Sequence, residues 1–507
     1  SGLHFSKKGF AVSGDGASPP VKIKIFIDRN SVQNLILYVT MFSSKSVKIP
    51  EKLIKVSKIF SDNGFKSYLV GGAVRDMLMG KACHDYDIAT NATPEQVMKI
   101  FRNVIPTGIA HGTVTIHIFG LELETTTFRT ETEYSDGRHP DKVKYADTIE
   151  EDLSRRDFTM NAIAAELSTG KITDPFNGQK DIQGKIIRTV GNPLERFSED
   201  GLRPVRAIRF SGQLGFEIEE KTFDAISQKE ILKKVEGIST ERFRDEFCKI
   251  LQTEKPSVGL KLLEQTGILK IFIPQFSVCR NCLQQDERGF HEFDVADHIL
   301  YACDGCPKEN LTVRLAAFYH DIGKPESKTI ETVNGKERIH FHGHEQISAE
   351  KAKASMASLK FSNDEIKKVS HLVKEHMFHY ESSWTDSAVR RFIIRVGAEN
   401  LDDIFLLRLA DIYGMHRVPL QQNSPSWNLL VELKKRIEKL LNENSALSLK
   451  DLKVNGKDLM AEGIPSGKIM GKILNELFET VTDSPEMNDK EKLISLAKKL
   501  FSEKYSA

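Results

Sequence analysis

Residues 68–89 read YLVGGAVRDMLMGKACHDYDIA, and the fold of the chain turns on them. An apolar run, Tyr68-Leu69-Val70, meets Gly71 and Gly72. Ala73 to Met79 has helix-forming character, and a short loop leads to Asp85-Tyr86-Asp87. The pattern predicts strand, glycine turn, helix, loop and strand. Without a Cβ, Gly71 and Gly72 let backbone amides close on a triphosphate. Residues two apart on a strand share a face, so Asp85 and Asp87 point together. Two carboxylates beside a phosphate-binding turn suit Mg²⁺, which takes oxygen ligands and completes its shell from water and substrate phosphates. By themselves these residues specify metal-assisted phosphoryl chemistry.

The surrounding chain is long, 507 residues, which predicts several domains rather than one core. No apolar run is long enough to span a membrane. The net charge of +1 gives no global basic surface, so contact with nucleic acid must come from local patches. Six cysteines in so long a chain do not form a disulfide framework, and the reading is a cytoplasmic protein. Residues 1–40, rich in Gly, Ser and Pro, read as a flexible extension without the apolar core of a secretory signal.

Outward from the glycine turn, Lys52 to Asn63 reads as a helix, and Thr93-Pro94 as an N-cap followed by proline at the first helical position. HGTVTIHIF (111–119) and LELETTTFR (121–129) alternate as half-buried strands. Glu122, Glu124 and Thr126 share one face of the second, so Glu124 is either a third carboxylate beside Asp85 and Asp87 or part of a solvated strand face. Residues 130–148 are polar and predict a mobile loop. LSRRDFTMNAIAAEL (153–167) reads as a helix, with Arg155 and Arg156 placed for phosphates and Asp157 and Asn161 for sugar hydroxyls. ITDPFNGQKDI (172–182) is a turn-rich hinge candidate.

In SEDGLRPVRAIRF (198–210), Arg203, Arg206 and Arg209 recur every third residue and form a row on one helix side, with Asp200 one turn earlier. An Asp/Arg pair offers both acceptors and donors to a base edge, while a solvated basic face is the plain alternative. Pro204 is expected to bend or loosen the helix start. STERFRDEFCKIL (239–251) carries a capping-box pattern at Ser239 or Thr240 and reads as scaffold.

GGAVRD with DYD, LETTTFR, RRDFTMNAIA, DPFNGQKDI, EDGLRPVRAIRF and ERFRDEFCKIL occur in the order of the motifs of class II tRNA nucleotidyltransferases, the CCA-adding enzymes and their poly(A) polymerase relatives. The chain closely resembles that family over about residues 50–275. The resemblance implies an α+β fold: a small mixed-sheet nucleotidyltransferase head (46–180) after an extension (1–45), then an all-helical neck (181–275), body (276–418) and tail (427–507). It implies addition of C, C and A to the tRNA 3′ end from CTP and ATP, with Mg²⁺ and release of pyrophosphate. Asp85, Asp87 and Glu124 then resemble the catalytic carboxylates, with Asp85 and Asp87 on the metal. Gly71, Gly72, Arg75, Arg156, Asp157 and Asn161 resemble nucleotide contacts. Asp200 and Arg203 resemble the protein template that pairs with the incoming base, and Arg206 and Arg209 the adjoining nucleotide-binding arginines. The loop at 130–148 resembles the flexible loop needed for the switch to A addition. HGTVTI (111–116) looks like the CCA-adding members rather than the poly(A) polymerases. A-only addition and poly(A) synthesis are the alternatives within the class.

In the second half, His298, His320-Asp321, His344, His376 and Asp411 follow the order H…HD…H…H…D and resemble HD-domain phosphohydrolases. The core set His298, His320, Asp321 and Asp411 offers imidazole and carboxylate to a second divalent metal, Mn, Ni or Mg. A metal-dependent phosphohydrolase whose head only binds RNA is the reading from another class. Cys279-x2-Cys282 and Cys303-x2-Cys306 match a zinc spacing but are also explained as buried thiols. Lys434, Lys435, Arg436, Lys439, Lys453, Lys457, Lys468 and Lys472 give the tail local basicity toward tRNA phosphates, or ordinary solvated helix faces.

Overall fold

The computed structural model describes residues 45–83, 85–132, 142–286, 288–289, 291–443 and 447–505, so the N-terminal extension and the centre of the expected 130–148 loop lie outside the described residues. Around the glycine turn, β1 (Ser67–Val70), β2 (Tyr86–Thr90), β3 (Val104–Gly108), β4 (Thr113–Ile118) and β5 (Leu121–Thr127) follow in order. β6 (Arg129–Thr132) and β7 (Lys142–Tyr145) form a separate ribbon. β8 (Ala164–Glu166) and β9 (Ile172–Thr173) complete the head. The main sheet runs β3-β4-β5-β2-β1-β8-β9 and is mixed, because β2 and β5 pair in parallel and the rest antiparallel. Alternation explains its burial: Val114 and Ile116 of β4 and Leu123 of β5 face the core. The helix Glu51–Asp62 covers the sheet with Leu53, Val56 and Phe60, spaced on one helical face. Thr93 caps the helix Pro94–Ile100 in a full capping box with Gln96, as the sequence predicts.

The helix expected over 153–167 does not form. Thr148 caps a short helix, Ile149–Ser154, earlier in the chain, and Ala164–Glu166 becomes β8 against β1. Alanine helix propensity amounts to a few tenths of a kcal/mol per residue over ordinary residues, roughly. Pairing with a buried strand outweighs it, and Ala162, Ile163, Ala164 and Ala165 are all fully buried. The 130–148 segment is not loop throughout either, since its ends pair as β6 and β7 and Thr148 is a cap. The hinge expected at 172–182 is packed tight: a Cβ on Gly178 would lie 2.1 Å from the Thr159 carbonyl oxygen.

The neck is helical from Pro193–Glu199 through Leu202–Leu214, Glu220–Ile226, Lys229–Glu236, Thr240–Leu251 and Pro256–Gln265. Gly201 is needed for close packing, because a Cβ there would fall 2.3 Å from the Lys234 carbonyl oxygen. Pro204 does not loosen the helix Leu202–Leu214. It is the third helical residue, where the backbone N–H has no intrahelical partner to lose. Ser239 stands at the N-cap of Thr240–Leu251 but makes no side-chain cap bond, so the expected capping box is absent.

Buried Arg314 joins neck to body, donating to the carbonyls of Leu251, Thr253, Cys306 and Pro307. One hydrophobic core runs from head to body, and the tail has its own around Leu459, Ile473, Leu477 and Leu493. Cys279, Cys303 and Cys306 are buried with sulfurs facing the carbonyls of Ile322, Arg314 and Ala302. Among the described residues no metal-ligand set includes a cysteine, which removes the zinc alternative. Burial pushes the Cys306 thiol up to about 12. Among the described residues no helix is long and apolar enough to cross a membrane.

Candidate functional site

The glycine turn, β2 and the start of the following segment meet at one point. Gly71 has φ of +70°, a conformation that favours glycine. A Cβ there would lie 3.3 Å from Arg156 Nη1 and 3.5 Å from Asp87 Oδ2. In the sheet register, Asp87 stands between Val70 of β1 and Glu124 of β5. Asp85, exposed, immediately precedes β2. Burial, then the charges of Glu124 and Asp85, push the Asp87 carboxyl up to about 6, against the pull of Arg156. The three carboxylates crowd one another without converging: among the described residues, sets with ligand atoms all within 4.8 Å occur only in the body. A magnesium ion that takes one or two carboxylates plus waters and phosphate oxygens needs no tighter set. The all-oxygen donors and the raised Asp87 carboxyl therefore fit a hard divalent cation.

The predicted nucleotide contacts are linked to one another. Asp152, buried, accepts from Arg155 at 2.7 Å and Arg156 at 3.2 Å, fixing both guanidinium groups. Arg156 Nε is buried with no hydrogen-bond partner among the described residues, and it is Nη1 of the same guanidinium that lies beside Gly71. Arg75 donates to Asn161 Oδ1 at 2.9 Å, Asn161 donates to Asp157 Oδ1 at 3.3 Å, and Arg206 grips Asp157 Oδ2 at 2.7 and 2.9 Å. Asp157 and Asn161, expected on sugar hydroxyls, thus spend these bonds joining head to neck. Although burial works the other way, Arg206 holds the Asp157 carboxyl down to about 2. A depressed carboxyl stabilises the fold above its unfolded value and loses that stability as pH falls through the folded one. Asp157→Asn is therefore expected to cost about 2 kcal/mol at neutral pH. The gap to the parent closes between pH about 4 and about 2, read by urea unfolding at stepped pH.

The neck arginines divide. Arg203 is buried, donating to the Arg196 carbonyl at 2.9 Å and the Arg155 carbonyl at 3.0 Å, and pairing with Glu199. Asp200 does not pair with Arg203. Its Oδ1 accepts the Leu202 amide at 2.9 Å and its Oδ2 accepts Arg242 Nη2 at 2.8 Å. Arg206 is partly exposed, whereas Arg209 lies in the neck interior, paired with Glu246 and stacked over Phe210. Arg242 is the residue sequence reading missed here. Its place in a scaffold-like helix gave no signal, because its partner lies 42 positions away.

The body holds a second arrangement. His298 on the helix Val295–Asp304 and His320 at the end of Leu311–Tyr319 bring their Nε2 atoms within 3.0 Å. Both face Asp321 Oδ2, at 3.0 and 3.1 Å, and Asp411 Oδ1 at 3.3 and 3.7 Å. His344 and His376, which the sequence order marked but the core set omitted, face the other oxygen, Asp321 Oδ1, at 3.1 and 3.7 Å. Nδ1 of His320, His344 and His376 each lies 2.7–2.8 Å from a backbone carbonyl, which fixes the tautomer and leaves Nε2 as the lone-pair donor. Six residues of such chemistry, all buried, fit a divalent metal of imidazole-and-carboxylate preference. Burial first, then the His320 charge, hold His376 down to about 3 and hence neutral, the form a metal takes. Beside the cluster opens a cavity of about 820 Å³ lined by Lys324, His340, Phe341, His342, Tyr380 and Arg408. In the tail, Lys434, Arg436 and Lys439 pair with Asp402, Asp386 and Glu443, the solvated-face arrangement.

Comparison with known proteins agrees along the chain. Residues 67–188 match the poly A polymerase head domain, 215–279 the RNA- and SrmB-binding region of polymerase A, and 341–497 tRNA nucleotidyltransferase domain 2. The chain is 34% identical to the CCA-adding enzyme of Ligilactobacillus salivarius over 464 residues, 90% of this chain and 97% of that protein. It is 34% identical to the CCA-adding enzyme of Enterococcus faecalis over 90% of this chain and 98% of that protein. Its fold superposes on the Bacillus stearothermophilus CCA-adding enzyme in complex with CTP with a TM-score of 0.66 at 28% identity, covering 89% of this chain and 96% of that one.

Proposed function

Because this chain belongs to the CCA-adding enzyme family, we infer that the head–neck cleft adds C, C and A to the tRNA 3′ end from CTP and ATP. The meeting of Gly71, Asp87, Glu124 and Arg156 carries the reading at the level of residues. Gly71 and Gly72 bring backbone amides against the triphosphate, and Arg156, oriented by Asp152, neutralises its charge. Asp85 and Asp87 would hold Mg²⁺, with Glu124 behind them, and the bound ion supplies a lowered pKa at the tRNA 3′ hydroxyl and charge neutralisation at the phosphates. That hydroxyl oxygen bonds the α-phosphorus, the α–β phosphoanhydride breaks, and pyrophosphate leaves. Asp200 reads the base, with Arg203 fixed behind it by Glu199 and the carbonyls of Arg196 and Arg155, and Arg206, from its bond to Asp157, positions the nucleotide. The head spans 46–180, the neck 181–275, the body 276–418 and the tail 427–507, all assigned to the cytoplasm.

The test supplies CTP or ATP separately to tRNA lacking CCA, tRNA ending in CC, and a generic RNA. The expected result is CMP incorporation into the first and AMP into the second. AMP incorporation into the CC-ended tRNA without CMP incorporation into the first leaves an A-only enzyme. AMP incorporation into the generic RNA means poly(A) synthesis.

The converging imidazoles favour a second activity, a metal-dependent phosphohydrolase in the body. His298, His320, Asp321 and Asp411 would hold one divalent ion, Mn, Ni or Mg, with His344 and His376 on the far oxygen of Asp321. A divalent ion held there would supply a water of lowered pKa for hydrolysis of a phosphate ester. Despite burial, Asp321 and Asp411 raise His320 to about 10, so metal uptake displaces a proton there and strengthens as pH rises.

A further inference from the structure

We propose that Arg242 is a positioning residue for base selection, holding the Asp200 carboxylate in the one orientation that accepts an exocyclic amino group. The proposal rests on Asp200 reading the base. Cytosine and adenine each carry an amino donor, at N4 and N6, where uracil and guanine carry a carbonyl oxygen. A carboxylate only accepts, so it bonds the first pair and leaves the second pair's carbonyl facing an unpaired acceptor. That rejection is strong only when the carboxylate is held, because a carboxylate free to turn makes room for a water between the two acceptors.

The structure supplies the hold from two directions. Asp200 Oδ1 is tied to the Leu202 amide at the start of its own helix, and Oδ2 to Arg242 from a different helix. Each oxygen takes one donor and keeps a lone pair for a ligand. Asp200 and Arg242 are 18% and 20% exposed, so the pair is partly open to solvent, as a group that meets a base must be. Arg203 cannot take over the hold, since its guanidinium is committed to Glu199 and the carbonyls of Arg196 and Arg155. The helix that presents Arg242 is itself anchored. Glu246 pairs with Arg209 in the neck interior, and Phe243 stacks on Phe272 with centroids 3.9 Å apart. On the other side, the carbonyl of Lys234 packs on Gly201, next to Asp200. The carboxylate is thus aimed by rigid elements rather than by its own loop.

The test uses the full chain with tRNA lacking CCA and compares kcat/KM for CTP against UTP, then ATP against GTP on tRNA ending in CC. Arg242→Ala is expected to lower the CTP/UTP and ATP/GTP ratios by about tenfold to a hundredfold, the effect of freeing one charged hydrogen-bonding group. Arg242→Lys, which keeps the charge but not the fork, is expected to lie between alanine and the parent. A merely structural role lowers Tm and activity with every nucleotide alike and leaves the ratios at the parent value, which overturns the proposal. Should Arg242→Ala fail to fold, Arg242→Lys gives the same readout: a reduced ratio supports the proposal and a parental one overturns it. Asp200→Ala separates the two levels. If it leaves the ratios unchanged, the base-reading assignment itself falls. If it collapses them while Arg242→Ala does not, only the positioning role falls.

Discussion

Asp87→Ala is expected to lower CMP incorporation into tRNA lacking CCA by about a thousandfold or more, which corresponds to about 4 kcal/mol of transition-state stabilisation. Asp87 is where the head's elements meet. It lies in register with Glu124, touches the space above Gly71 and faces Arg156. Burial and two neighbouring carboxylates make its charge costly without a cation, so removing it takes away a ligand and leaves little else to repair. The same substitution relieves that repulsion, so the variant is expected to melt no lower than the parent. Nucleotide incorporation and thermal unfolding measured together check both halves. A variant that retains more than about a tenth of parental incorporation contradicts the assignment of Asp87 to the metal.

Asp321→Ala is expected to do the converse. Its two oxygens face His298 and His320 on one side and His344 and His376 on the other. One substitution therefore unmakes both halves of the body cluster. Loss of even an outer-shell partner costs about tenfold to a hundredfold in metal affinity, so loss of this carboxylate is expected to exceed a hundredfold for Mn²⁺. Calorimetric titration of Mn²⁺, and cleavage of a nitrophenyl phosphodiester, read the loss. CMP and AMP incorporation stay at the parental level, because the head carboxylates lie in a different domain. Equal loss of incorporation means that the body cluster supports transfer and is not a separate centre. Unchanged Mn²⁺ affinity removes the metal reading of the body.

Much of the head was legible because its signals are local. Gly71 and Gly72, the Thr93-Pro94 cap, and the alternation over 113–127 are each decided by backbone sterics or by a period of two. The exceptions are instructive. LSRRDFTMNAIAAEL is helix-like by composition, yet β1 lacked a partner on that side, and Ala164 and Ala165 fill it. Pro204 looked disruptive only while the helix start was unplaced by a few residues. The Cys-x2-Cys pairs had a zinc spacing, but the helix Val295–Asp304 turns the Cys303 sulfur inward toward a carbonyl.

The sequence by itself determined the chemistry: a glycine turn followed by paired acids, motifs in family order, and histidines and aspartates spaced for a metal. These are choices of residue type, and a residue's donor set travels with its identity. Only the tertiary structure decided the partners. It set Asp87 opposite Glu124, gave Asp157 to Arg206, withdrew Arg209 into the neck, and turned Asp200 from Arg203 toward Arg242. It also put His344 and His376 on the second oxygen of Asp321. The physical reason is that ion pairs and metal ligands act over a few ångströms between groups far apart along the chain, and neither propensity nor periodicity carries that information.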